Sequence, residues 1–134
     1  MQTVLSDFEF LTHIDDGVPV LSVRGQVDMS AVQALTEALD GLMGHHAPRH
    51  VVDLGCVSFL DSQALGALVE AQWHLEGRDP PETMHVVLGD SLQRLFGVAG
   101  LLERFVVHDT LDGALADRSD GPPRHASLVP TAPV

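Results

Sequence analysis

The stretch VSFLDSQALGAL, from Val57 to Leu68, decides the fold of this chain. An apolar run ends there at Asp61, Ser62 and Gln63, and apolar residues then return at the spacing of a helix. Asp61 or Ser62 can cap this helix, because either side-chain oxygen can accept a hydrogen bond from the free N–H groups of the first turn. The pattern predicts a helix over 62–75 that follows a buried strand and a short loop.

Strands and helices alternate on both sides of this stretch. A hairpin is predicted around Asp15, Asp16 and Gly17, because Asp-Gly supplies the positive φ angles of a tight turn. The other predicted elements are strands at 8–14, 18–23, 50–54, 84–88 and 105–107, helices at 31–43 and 110–116, and a helix capped by Asp90 or Ser91. This order indicates an α/β domain with a parallel or mixed sheet. The domain is predicted to span residues 1–117, and the Pro-rich stretch 118–134 to be a disordered tail.

Single side chains carry further predictions. Ser30 and Gln33 fit a capping box at the start of the first helix. In the second helix, Leu68 and Trp73 are among the residues predicted to form one apolar face. Cys56 is predicted to be a small buried residue, as cysteines usually are, because Val57 and Phe59 beside it are apolar. A redox role would need a positive charge next to the thiol, and none adjoins it in the sequence.

The charge of the chain excludes several functions. Its seven basic residues are all arginines, and 19 acidic residues bring the formal net charge to −12. Phosphate backbones and anionic lipid heads repel such a chain, and without lysine it has no Walker-type phosphate loop. It has no run of about 20 apolar residues, as a membrane span needs, and no signal-peptide pattern at its start. We therefore expect a cytoplasmic protein that binds no nucleic acid and does not insert into membranes.

Catalysis and metal binding find little support in the sequence. A serine nucleophile needs a base within reach, and no Gly-x-Ser-x-Gly elbow surrounds Ser62. His45, His46 and His50 form a cluster, but a metal site needs three or four converging ligands, and these residues flank a helix end and a proline. We interpret them as residues of a solvated loop. The sequence predicts no enzyme, no metal and no cofactor, and a small hydrolase using Ser62 and a histidine is the alternative from another class.

The polar turn at 61–63 supports two interpretations. Capping alone explains one of its side chains. A helix N-terminus also offers free N–H donors and a partial positive charge, so a hydroxyl there can carry a phosphate whose charge would alter a partner surface. Small residues at Ala64, Gly66 and Ala67 let another molecule approach closely. The turn is therefore a candidate docking surface with a phospho-switch.

Three stretches resemble the STAS family, the anti-sigma factor antagonists and their relatives. They are VPVLSVRGQVDMSAVQAL, HVVDLGCVSFLDSQALGAL and MHVVLGDSLQRLFGVAGLLERFVVHDTLDGALA, in the family's order, and the resemblance runs from about residue 8 to residue 116. It implies a small mixed sheet with helices packed mainly on one face. It also implies a non-enzymatic protein-binding module. In antagonist members, the unphosphorylated form binds a serine-kinase anti-sigma factor, which frees a sigma factor for transcription.

The resemblance also assigns residues. Asp28 matches the family's acid before the first helix, at the partner surface. Asp61 and Ser62 match the first two positions of the family's Asp-Ser-Ser-Gly motif, whose third position is the usual phospho-acceptor. That position is Gln63 here, and the fourth, usually glycine, is Ala64. These five residues are predicted to bind the partner, and Ser62 is the candidate phosphorylation residue.

The substitution at the third motif position leaves two outcomes open. Either Ser62 accepts the phosphate, or the switch is lost and the module binds its partner constitutively. The family also includes proteins of stress-signalling complexes and subunits of lipid-asymmetry ABC transporters. A role in such an assembly is the alternative to an anti-sigma factor antagonist.

Overall fold

The computed structural model describes residues 8–25 and 31–117 of the chain. Its elements in chain order are β1 (Phe8–Asp15), β2 (Val18–Gly25), α1 (Val32–Met43), β3 (Arg49–Cys56), α2 (Ser62–Glu76), β4 (Thr83–Leu88), α3 (Asp90–Val98), β5 (Val106–His108) and α4 (Leu111–Ala116). Each predicted strand and helix is present. The largest differences are at the ends of β2 and β3, which continue to residues 25 and 56 instead of the predicted 23 and 54.

The five strands form one mixed sheet in the order β1-β2-β3-β4-β5. β1 and β2 pair antiparallel through the predicted turn, where Asp16 and Gly17 have φ angles of 51° and 82°. The remaining strand pairs are parallel, so β3 and β4 end at the same edge of the sheet. Helices α2 and α3 follow these two strands, which places both helix N-termini beside the carboxyl edge, where open α/β sheets gather their functional residues.

The two faces of the sheet are covered unequally. One face carries the main core, in which β2, β3 and β4 pack against α1, α2 and α3, and Leu35, Leu68 and Phe96 are fully buried. The short helix α4 covers part of the other face, where Ala114 packs against a group that includes Val87. The helices therefore lie mainly on one face, as the resemblance implied. Within the described residues, no helix is long and apolar enough to cross a membrane.

Three predictions about single side chains were wrong. Trp73 is 64 % exposed, because the buried face of α2 runs through Leu68, Ala71 and Leu75, which follow one another at intervals of three and four positions. Cys56 is exposed, because it lies at the outer end of β3, where strand burial stops. The N-cap of α3 is Gly89, and Asp90 lies inside the first turn, where a carboxylate complements the positive end of the helix.

Some predicted features lie outside the described residues. They are Asp28, Ser30 of the proposed capping box, and the tail at 118–134. The N-cap position of α1 is Ala31, which makes no side-chain capping bond.

Candidate functional site

The turn between β3 and α2 is held by a short loop and a helix cap. The backbone N–H of Val57 donates to the carbonyl of Leu54 at 3.0 Å, which bends the chain out of the strand. Leu60 is 1 % exposed and anchors the loop in the core. Asp61 then adopts an extended conformation, and its Oδ1 accepts a hydrogen bond from the N–H of Ala64 at 2.9 Å. Asp61 is therefore the cap of α2.

This capping leaves the next two side chains in solvent. Ser62 and Gln63 are the first two residues of α2 and both are exposed, while Asp61 is partly buried. The expectation that Asp61 and Ser62 form the N-cap turn of the second helix and are at least partly exposed is thus confirmed. Ala64 differs, because its side chain is fully buried in the core cluster and its N–H already bonds Asp61. Its side chain cannot take the predicted place at a partner surface.

Exposed apolar groups extend this surface along α2. Phe59 is 50 % exposed two residues before the cap. Gln63, Gly66 and Trp73 lie within about 80° of one another around the axis of α2, since consecutive helical residues are about 100° apart. A side chain at residue 66 would meet nothing within 4 Å. Large aromatic side chains often anchor protein interfaces. Neither aromatic was predicted to lie at this surface. Trp73 was assigned to the apolar face of the helix, and its exposure follows from how α2 packs on the sheet.

A shallow cleft adjoins the turn at the carboxyl edge of the sheet. It measures about 260 Å³ and lies between the loop at 55–58 and the start of α3 at 89–91. Asp53, at this end of β3, accepts the N–H of Gly55 at 2.9 Å. Asp53 and Asp61 therefore both accept backbone N–H groups. In the described part of the chain, no hydrogen bond joins the hydroxyl of Ser62 to a histidine.

The histidine cluster divides into buried and exposed residues. Nε2 of His50 lies 2.8 Å from Oε1 of Glu82, which Arg78 also contacts at 2.7 Å. Burial lowers the pKa of His50 more than the bond to Glu82 raises it. Burial alone would raise the pKa of Glu82, but hydrogen bonds from His50 and Arg78 lower it below its usual value. The interpretation as a solvated loop holds for the exposed His45 and His46 and was wrong for His50.

The fold and this turn define a small α/β domain whose exposed polar turn follows a buried central strand. The chain belongs to the STAS domain family: the family model described as "Mlab, STAS domain" matches residues 10–108.

Relatives and solved structures agree with this assignment. The chain is 30 % identical over 109 residues to the anti-sigma-F factor antagonist RsfB of Mycobacterium tuberculosis, and the match covers 78 % of this chain and 88 % of RsfB. The crystal structure of an anti-sigma factor antagonist from Mycobacterium paratuberculosis is similar with a TM-score of 0.71 and 33 % identity, over 81 % of this chain and 91 % of that one. A sulfate transporter family protein from Wolinella succinogenes has a TM-score of 0.62 at 22 % identity, over 88 % and 92 %, and shares the fold.

Proposed function

We propose that this chain is a non-enzymatic regulator that binds another protein, in the manner of an anti-sigma factor antagonist. The observation that carries the proposal is the 30 % identity to RsfB, which extends over 88 % of that relative. RsfB is named for antagonising an anti-sigma-F factor. The proposed partner of this chain is therefore an anti-sigma factor, and more specifically one with serine-kinase activity. Its proposed place of action is the cytoplasm, where bacterial transcription takes place.

The exposed turn at the start of α2 is the proposed docking surface. Asp61, Ser62 and Gln63 lie on it together with Phe59, which combines an apolar anchor with polar groups at the rim. Asp28 is assigned to the same surface by the family resemblance. The formal net charge of −12 favours a partner with a basic face, because complementary charge accelerates association and orients the encounter.

Calorimetry with the full chain tests this proposal. The anti-sigma factor kinases encoded in the same genome are titrated with the native chain and with Gln63→Arg, which adds a positive charge and bulk at the turn. We expect saturable binding by at least one kinase. The affinity of the variant should be lower by about tenfold or more, since a like charge placed against a basic face costs several kcal/mol. Asp28→Arg should weaken binding in the same way.

The matched control lies on the same helix. His74→Arg also introduces an arginine on an exposed position of α2, about 16 Å from Gln63 by the helical rise of 1.5 Å per residue. This variant should bind like the native chain. If Gln63→Arg and Asp28→Arg bind with native affinity, docking occurs elsewhere. If no anti-sigma factor binds the native chain, the role belongs to another STAS assembly.

A further inference from the structure

Three potential metal ligands meet on the sheet face opposite the main core. His85 lies on β4, His108 on β5, and Asp117 directly follows α4. These residues are far apart in the sequence and form no motif, so only the pairing of β4 with β5 and the packing of α4 bring them together. Their ligand atoms all lie within 4.8 Å of one another.

We propose that His85, His108 and Asp117 form a binding site for a divalent transition-metal ion of the Zn²⁺ type. Nδ1 of His85 and Nε2 of His108 are 3.0 Å apart, and Oδ2 of Asp117 lies 3.8 Å from the first and 3.5 Å from the second. In a tetrahedral zinc site with metal–ligand bonds of about 2.0–2.1 Å, ligand atoms are about 3.3 Å apart. The three observed distances bracket that value.

The exposure of the three side chains fits an open metal site. His85 is 0 % exposed, whereas His108 and Asp117 are 13 % and 21 % exposed. The buried histidine fixes one ligand rigidly, and the outer two leave a path for the ion and for a solvent ligand in the fourth position. Two imidazoles and one carboxylate suit Zn²⁺ and its neighbours, whereas Ca²⁺ and Mg²⁺ prefer oxygen ligands alone.

Metal binding requires a small rearrangement of the two rings. They are nearly parallel, with an angle of 10° between their planes and centroids 5.2 Å apart, and their facing nitrogens are at hydrogen-bond distance. One neutral ring therefore donates its proton to the other. To bind the ion, the donor ring moves that proton to its second nitrogen, and the two lone pairs turn toward a common point. His108 is the ring that turns, because it lies on the edge strand β5 and is partly exposed.

The charges around the site leave it weakly negative. The carboxylates of Asp117 and Asp109 and the guanidinium of Arg49 all act on His108. Two negative charges and one positive charge give −1 before an ion binds. The guanidinium of Arg49 donates hydrogen bonds to the carbonyls of Ala114 and Leu115 at 3.4 and 3.1 Å, and these bonds hold the C-terminal end of α4.

An ion at this site would connect the last elements of the domain. α4 has six residues, too few for a helix that is stable by itself. Coordination by Asp117 would tie its C-terminal end to β4 and β5. The site lies on the opposite sheet face from α2, so this inference is independent of the proposed function.

Metal titration of the full, untagged chain tests the proposal. The chain is first treated with EDTA, and the EDTA is removed before the titration. Co²⁺ is titrated first, because its visible absorption reports coordination geometry, and Zn²⁺ binding is then measured by calorimetry. We expect one equivalent of each ion, a tetrahedral Co²⁺ spectrum and a rise in melting temperature with Zn²⁺. His108→Ala and Asp117→Asn should each weaken binding at least about tenfold, as losses around metal sites do.

The exposed histidines supply the control. The double variant His45→Ala/His46→Ala removes a competing pair of surface ligands and should bind one equivalent with native affinity. Circular dichroism checks that each variant is folded. His85 is not substituted, because it is fully buried and its loss could unfold the chain. Absence of saturable Zn²⁺ binding, or binding that survives both His108→Ala and Asp117→Asn, overturns the proposal. So does loss of binding in the His45/His46 variant.

Discussion

The amino ends and the carboxyl ends of β3 and β4 use polar residues in opposite ways. At the amino ends, His50, Arg78 and Glu82 are largely buried, and His50 and Arg78 both bond to Glu82. At the carboxyl ends, Asp61 caps α2 and leaves Ser62 and Gln63 in solvent. Breaking a buried pair leaves a charge without its partner, whereas an exposed side chain exchanges its contacts for water at little cost. The buried network therefore stabilises the fold, and the exposed turn can change without unfolding it.

The largest expected effect is at the buried end. Glu82→Gln should lower the free energy of unfolding by about 3 kcal/mol, because it removes the charge that pairs with Arg78 beside the fully buried His50. Urea denaturation measures the loss. The control Glu70→Gln makes the same change at an exposed position of α2 and should stay within about 0.5 kcal/mol of the native chain. Equal losses of stability in the two variants would contradict the conclusion that the polar residues at the amino ends of β3 and β4 stabilise the fold more than exposed ones do.

The same network predicts a loss of stability in acid. Burial lowers the pKa of His50 below its usual 6.5. As the pH falls below 6.5, His50 is therefore protonated in the unfolded chain while it is still neutral in the folded chain. Stability therefore decreases from that pH down to the folded pKa. Glu82, whose pKa is lowered from 4.5, adds a second decrease as the pH falls from about 4.5 through its own folded pKa.

Melting temperatures between pH 7.5 and pH 4, in buffer with EDTA, measure the first of these two decreases. His50→Gln should flatten the first decrease, while the exposed His13→Ala should leave it unchanged. Part of the slope should remain, because burial also lowers the pKa of His108. A His50→Gln curve parallel to the native curve would assign the acid sensitivity to other groups.

The sequence predicted what depends on local chemistry. Asp-Gly in the hairpin and Asp61 before an apolar periodic run are signals carried by neighbouring residues, and both turns formed as expected. Trp73 and Cys56 were misplaced because burial depends on where the neighbouring elements stop, which composition does not reveal. The burial of His50 was missed because its partner Glu82 lies 32 residues away in the sequence.

An intermediate effect is expected at the cap, the residue of the exposed turn with a structural role. Asp61→Ala should lower the free energy of unfolding by about 1 kcal/mol, because it removes the acceptor for the N–H of Ala64. Ser62→Ala, one residue later, should change it by less than about 0.5 kcal/mol. Urea denaturation of the two variants in parallel separates the cap from its neighbour. A larger loss in Ser62→Ala than in Asp61→Ala would contradict the assignment of the cap.

Substitution of Gln63 is expected to have the smallest effect on stability. It is also expected to have the largest effect on regulation. Consecutive helical residues are about 100° apart around the helix axis, so a hydroxyl at Ser62 points away from the direction of residue 63. The resemblance places the usual acceptor at residue 63. We therefore expect weak or no phosphorylation of the native chain by a cognate anti-sigma factor kinase, and persistent binding. Gln63→Ser should be phosphorylated stoichiometrically and then release the partner, because the phosphate adds nearly two negative charges at the docking surface.

Intact-mass and peptide analysis after incubation with the kinase and ATP measures the modification. The double variant Ser62→Ala/Gln63→Ser locates it, since phosphate on residue 63 survives the loss of the neighbouring hydroxyl. Both positions are exposed, so neither is closed to the kinase by burial, and the two side chains differ in their direction around the helix axis. Stoichiometric phosphate on Ser62 of the native chain would instead show that the acceptor has moved by one residue and that the switch operates from the new position.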